Sequence, residues 1–144
     1  MDRQKNEKAF TLVELMVVLI TISIFAAFAV PNYQKAVIKS HERKAILNLK
    51  TIHGANEIYR ARAGQYLDDG GAALDLAGIN AGFSLDIFDN DVTYSYDRTA
   101  ATTYTATAVW AGTNPFTVRL NQAAVTAANP CCLAGTCRVA SACP

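Results

Sequence analysis

Phe10-Thr11-Leu12-Val13-Glu14-Leu15-Met16-Val17-Val18-Leu19-Ile20 opens a stretch that stays apolar to Val30, apart from Glu14 and a few hydroxyls, and turns polar at Pro31-Asn32. A helix rises about 1.5 Å per residue, so Phe10 to Val30 spans roughly the ~30 Å hydrocarbon layer of a bilayer. Residues 1–9, MDRQKNEKA, are polar and slightly basic. Arg3, Lys5 and Lys8 on this short leading side hold it in the cytoplasm by the positive-inside bias and send the rest across. A secretory signal peptide has a similar outline, and Ala27-Phe28-Ala29 fits its small-residue cleavage site. A plain signal anchor fits as well. Neither gives a reason for Glu14, since an acid at the centre of a membrane helix costs on the order of 2.5 to 3.5 kcal/mol and such groups usually have a partner.

Beyond Pro31, residues Ile38, Ala45, Leu49, Ile52 and Tyr59 recur at helical spacing, with Lys39, Glu42, Arg43 and Lys50 assigned to other faces. The helix is expected to stop near Ala63-Gly64, where Arg60 and Arg62 precede a glycine. Gln65 to Asn90 reads as an irregular connection with one short helical turn. Strands are expected at Val92–Tyr96, Thr102–Trp110 and Phe116–Leu120, joined as an antiparallel meander. The fold class is therefore α+β: one long N-terminal helix, apolar first and amphipathic later, packed on a small antiparallel sheet. At 144 residues there is room for a single folded head.

The formal net charge of +1 gives no whole-molecule attraction to nucleic acid, although charge is unevenly spread. Asn32 to Arg62 carries seven basic residues against Glu42 and Glu57, and Asp68 to Asp97 carries seven aspartates and no Lys or Arg. These read as solvated faces, or as complementary surfaces of neighbouring copies. Asp68-Asp69 before Gly70-Gly71 does not have EF-hand spacing and reads as a solvated turn. His41 and His53 lie about 18 Å apart along the helix, too far to share one small site. No nucleotide loop, nucleophile elbow or metalloprotease motif is present in the sequence, so no catalytic residue, metal or cofactor is expected.

Lys8-Ala9-Phe10-Thr11-Leu12-Val13-Glu14-Leu15-Met16 resembles the prepilin cleavage and methylation motif of the type IV pilin family, and Pro31 falls where that family commonly has a proline. Ala9 stands where the family usually has glycine, and Ser23 replaces a common mid-helix glycine. The resemblance implies a leader peptide at 1–9, a transmembrane and filament-core helix at 10–31, an amphipathic helix half at 32–63 and a globular head at 64–144. It implies cleavage between Ala9 and Phe10 by prepilin peptidase, N-methylation of Phe10, and pairing of Glu14 with the Phe10 amine of a neighbouring subunit. A matched charge would then fix register between otherwise featureless apolar helices. Pro31 removes a backbone donor, so the helix should kink there or lose local hydrogen bonds.

All four cysteines, Cys131, Cys132, Cys137 and Cys143, lie in the last 14 residues and suggest a stapled loop in an oxidising compartment. The tail resembles the disulfide-closed C-terminal loop of many pilins. Three connectivities are open, the one with a vicinal Cys131–Cys132 bond being the least favoured, and Cys132–Cys137 with Cys131–Cys143 is preferred. The partners implied are identical subunits in a helical homopolymer, prepilin peptidase, and an inner-membrane platform with its assembly ATPase. Localisation follows as inner membrane first, then the cell surface. A major pseudopilin of a type II secretion system shares the architecture. From another class, a secreted or periplasmic binding module cut after Ala29 remains the alternative.

Overall fold

Thr11 is a good helix N-cap and Glu14 follows it at the capping-box spacing, so a helix should start here. In the computed structural model, which describes residues 10–126 and 128–144, α1 spans Leu12–Ala63. The chain forms two compact units, one ending at Ala36 and the other running from Val37 to Pro144.

In the first unit every described residue is exposed. Its hydroxyls turn back on their own helix: Thr21 Oγ1 donates to the Val18 carbonyl at 2.8 Å and Ser23 Oγ to the Leu19 carbonyl at 2.7 Å. The polar atoms are thereby satisfied within the segment, as a hydrocarbon surrounding requires. Pro31 lies inside the helix and supplies no N–H, and the Asn32 side chain donates to the Phe28 carbonyl at 3.2 Å.

In the second unit α1 buries Ile38, Glu42, Ala45, Leu49, Ile52 and Asn56. Gly64, at φ 76°, ends the helix, its N–H donating to the Arg60 carbonyl at 2.8 Å. The stretch expected to be irregular holds a two-turn helix, α2 (Leu76–Phe83), because Asp75 caps it by accepting from the Gly78 N–H at 2.8 Å. Burial of Ile79 fixes it against the core.

Four strands follow: β1 (Val92–Ala100), β2 (Thr103–Trp110), β3 (Phe116–Asn121) and β4 (Cys131–Gly135), in the order β1-β2-β3-β4 with every neighbouring pair antiparallel. Three match the sequence reading, and β4 was read only as part of the cysteine loop. Register places Ala106 between Tyr96 and Leu120, and Ala108 between Tyr94 and Val118, so the core face has alanines along β2 between larger residues. Leu49, Ile52, Tyr66 and Ile79 join these residues in one cluster. Each fully buried large side chain contributes about 1.5 to 3 kcal/mol.

Both sheet edges are covered. Leu74 exchanges backbone hydrogen bonds with Tyr96 at 2.7 and 2.9 Å, and Asp69 Oδ2 accepts from the Arg98 N–H at 2.8 Å on the β1 side. On the β4 side the Cys132 N–H donates to the Ser141 carbonyl, and the Cys143 N–H to the Cys132 carbonyl. Covered edges prevent strand-to-strand association.

Candidate functional site

The helix start holds the discriminating carboxylate. Glu14 Oε2 accepts from the Thr11 N–H at 3.1 Å and from the Thr11 hydroxyl at 3.0 Å, and the Glu14 N–H donates to Thr11 Oγ1 at 3.2 Å. This reciprocal capping box satisfies orphan donors at the helix start and gives the acid a local partner. Phe10 precedes it with its side chain 75% exposed, beside Leu12, Val13 and Leu15, all exposed. Among the described residues the acid is hydrogen-bonded to Thr11 of its own helix start, with exposed apolar side chains around it. α1 contains a segment long and apolar enough to cross a bilayer, with none of it buried in the protein. Ala9, the residue before the expected cut, and the rest of the expected leader lie outside the described residues.

The C-terminal cysteines form Cys131–Cys143 and Cys132–Cys137, the preferred pairing. They close a loop that is also clasped to α1. Glu42, fully buried, accepts the Arg138 N–H at 2.6 Å on Oε2, and the Val139 and Ala140 N–H groups at 2.9 and 2.8 Å on Oε1. The sequence reading put Glu42 on a polar outer face, and the structure corrects this. Three backbone donors compensate the carboxylate for lost water, so it can sit among apolar neighbours. Its spacing gave the signal: Glu42 lies four residues after Ile38 and three before Ala45, within the apolar stripe itself.

A second buried polar group also escaped the sequence reading. Asp89 accepts from the Asp91 and Val92 N–H groups and from the Tyr94 hydroxyl at 2.8 Å, with Lys44 Nζ at 3.3 Å. Burial works to raise its pKa, yet the Tyr94 hydroxyl, the Asp91 N–H and Lys44 hold it below the usual carboxylate range. Asn56 donates to the Tyr96 hydroxyl at 3.0 Å and takes the deep position one turn before Tyr59. Tyr59 itself is half-buried, edge-on to Phe83.

The basic and acidic stretches meet partly within one head, through Lys44–Asp89 and His41–Asp91 at 3.8 Å, and Arg98, just beyond the acidic stretch, pairs with Asp68 at 2.7 Å. His41 stacks on Trp110, and His53 bonds to the Tyr104 hydroxyl, so both histidines have packing roles. Asp68 and Asp69 cap their own turn by accepting from Gly70 and Gly71. Among the described residues no group of three His, Cys, Asp or Glu is placed to hold a metal.

Comparison with known proteins fits this geometry. Residues 4–30 match the family described as the prokaryotic N-terminal methylation motif. The chain is 38% identical over 63 residues to the type IV major pilin protein PilA of Myxococcus xanthus, covering 44% of this chain and 29% of that protein. It is 32% identical over 60 residues to the type II secretion system core protein G of Vibrio cholerae, covering 42% of this chain and 41% of that one. It is 38% identical over 74 residues to the fimbrial protein EcpC of Eikenella corrodens, covering 51% and 48%. The matched stretch thus spans less than half the length of each of these relatives. No solved structure matches. The chain thus carries the prokaryotic N-terminal methylation motif at residues 4–30 and is similar, over about half its length or less, to a type IV major pilin, a fimbrial protein and a type II secretion core protein.

Proposed function

We propose that this chain is a structural subunit of a type IV pilus, carried in the inner membrane by residues 10–31 and then polymerised through the same helix into a surface filament. In this reading prepilin peptidase removes residues 1–9 and the Phe10 amine is methylated. The new cationic amine then lies one residue ahead of Thr11, whose N–H and hydroxyl hold Glu14. In the filament Glu14 is neutralised by the amine of an adjoining copy: apolar burial supplies affinity and the charge pair supplies register. The observation that carries the reading is the exposed apolar helix with a single carboxylate at its start. The covered edges of the sheet support it, because they leave the helix as the route to polymerisation. An inner-membrane platform and an ATPase would supply the work of extraction from the bilayer. In this reading the compact unit from Val37 to Pro144 is the part that would face the outside.

Glu14→Ala tests this. The full chain should keep its unfolding midpoint and its processing, with the mature terminus at Phe10 by mass spectrometry, while fibre yield collapses. Normal fibre yield in this variant would refute the register role, and a mature terminus at Val30 would favour the conventional signal-peptide alternative. The likeness to type II secretion core protein G supports a second reading, a periplasmic pseudopilin. Immunogold imaging separates the two: long surface fibres support the pilus, and strictly periplasmic label supports the pseudopilin.

A further inference from the structure

From Arg98 to Pro144 the chain contains no Asp, Glu, Lys or His, and its charged side chains there are Arg98, Arg119 and Arg138. Arg98 finds its counter-charge outside that stretch, in Asp68 at 2.7 Å. Arg119 does not. It alternates with the buried Val118 and Leu120 on β3, so its side chain emerges on the face of the sheet opposite the core. There it is half-buried, and among the described residues its guanidinium has no ion pair or hydrogen bond. The positions directly across from it are Thr107 on β2 and Cys131 on β4. Thr107 already shares its hydroxyl with Ser95 at 2.6 Å, and Cys131 is bonded to Cys143. The one carboxylate on this face of the strands, Asp97, pairs with Thr105, which pairs with Asn121, so it lies two strands from β3, roughly 10 Å. A half-buried guanidinium has given up part of its water and still presents five donors in a rigid fork.

Arg119 lines a cavity of about 400 Å³ together with Asn121, Ala123, Thr126, Asn129 and Cys131. The wall facing it is pre-formed. Buried Asn129 accepts the Asn121 N–H on Oδ1 at 3.2 Å and donates from Nδ2 to the Ala123 carbonyl at 2.7 Å, and the Thr126 N–H donates to the Asn129 carbonyl at 3.0 Å. These bonds hold the wall without drawing on the guanidinium. We propose that the cavity binds a small organic monocarboxylate of about sugar-acid size, its carboxylate paired two-pronged with Arg119 and its ring laid against the wall. The planar fork of arginine matches the two oxygens of a carboxylate. With one cation and no second basic residue lining the cavity, one negative charge is balanced, whereas a phosphate dianion would leave charge in excess. Two donors are in place for the hydroxyls of the ring: Asn121 spends its Oδ1 on the Ala123 N–H and keeps its NH2, and Thr126 accepts from the Ala128 N–H and keeps its hydroxyl proton. The site lies wholly in the unit from Val37 to Pro144 and stands apart from the filament reading.

The experiment titrates the full chain, in uncharged detergent, with sodium glucuronate and follows the Arg119 Nε–H and the Asn121 and Thr126 amides by NMR. Saturable shifts are expected with a Kd on the order of 1 mM, the scale for about a dozen heavy atoms held by one charge-assisted pair. Glucose and inorganic phosphate at the same concentrations should not saturate the site. Arg119→Gln should weaken glucuronate binding at least about tenfold at an unchanged unfolding midpoint, and Arg119→Lys, which keeps the charge and loses the fork, should fall between it and wild type. Should Arg119→Gln lower the midpoint, Arg119→Lys decides alone: reduced affinity supports the paired fork, and wild-type affinity overturns it. The site is also overturned by undiminished binding in a folded Arg119→Gln chain, by saturation with glucose or phosphate as readily as with glucuronate, or by no saturation with glucuronate. Self-association that Arg119→Gln abolishes would overturn it as well, by assigning the guanidinium to a second copy. None of these results bears on fibre formation, which the Glu14→Ala chain tests separately.

Discussion

Replacing Glu42 perturbs the contact that ties the C-terminal loop to the helix. Oε1 accepts two N–H groups, from Val139 and Ala140, and Oε2 accepts one from Arg138. In Glu42→Gln the amide oxygen can keep the pair on Oε1, while the new NH2 meets the Arg138 N–H donor to donor. One charge-assisted bond is lost and two are weakened, which amounts to about 2 kcal/mol. Glu42→Ala removes all three acceptor interactions. Hydrogen bonds to charged groups are worth about 1.5 to 3 kcal/mol each but share one carboxylate, so the combined loss should be on the order of 3 to 5 kcal/mol. Against a typical domain stability of about 5 to 15 kcal/mol, that is a large fraction. Urea unfolding of the detergent-solubilised full chain, followed by near-ultraviolet dichroism of the head tyrosines, measures it. Amide exchange at Arg138, Val139 and Ala140 should accelerate in both variants, more than exchange in β2. A Glu42→Ala chain within about 1 kcal/mol of wild type, with those amides still protected, would show that the disulfides alone hold the loop.

The other outcomes concern the same head. Asp89 has its pKa lowered on folding, so it adds stability above the unfolded carboxylate range and loses it as pH falls through the folded value; unfolding midpoints should drop below about pH 4, with a shallower drop in Asp89→Asn. Burial pushes Tyr96 up to about 12, so the stability it confers is intact below the unfolded phenol value of about 10 and is lost as pH rises toward 12; phenolate absorbance should then rise together with loss of head structure. Cys131→Ser with Cys143→Ser opens a sequence separation of 12, against 5 for Cys132→Ser with Cys137→Ser, so chain entropy makes the first pair costlier by about 1 kcal/mol in denaturant titration.

What could be read without coordinates followed from periodicity. Ile38, Ala45, Leu49 and Ile52 announce a helix face, and Tyr94, Tyr96, Tyr104 and Val118 occupy the alternating core positions of their strands. The glycine stop at Gly64 and the meander were equally local. α2 was legible only as one short helical turn somewhere in Gln65 to Asn90, because its cap, Asp75, sits among alanines and glycines that carry no periodic signal. Asp89 was hidden for a different reason, and Glu42 was placed outside despite its spacing: a pattern of polar and apolar letters assigns a carboxylate to water, and tertiary structure supplies the N–H groups that replace it. At the helix start the motif gave Phe10 and Glu14, whereas the Thr11 capping box became evident as a capping-box spacing with its hydrogen bonds in place.

In the proposed filament reading, the distribution of satisfied and unsatisfied surface would let one molecule be both a stable head and a polymer unit. Within the head the polar demands are met internally: edge strands are covered, the cysteines are paired, and Glu42, Asn56 and Asp89 have their partners. Among the described residues nothing covers the apolar side chains of residues 10–30. Hydrophobic burial is non-directional, so the segment alone would accept a bilayer or any apolar neighbour at many registers. A carboxylate restricts that freedom, because each register that leaves it without a cation in apolar surroundings is disfavoured. In the proposed filament Glu14 would therefore contribute little attraction in water and much discrimination in a dry core, while its local bond to Thr11 caps the helix start.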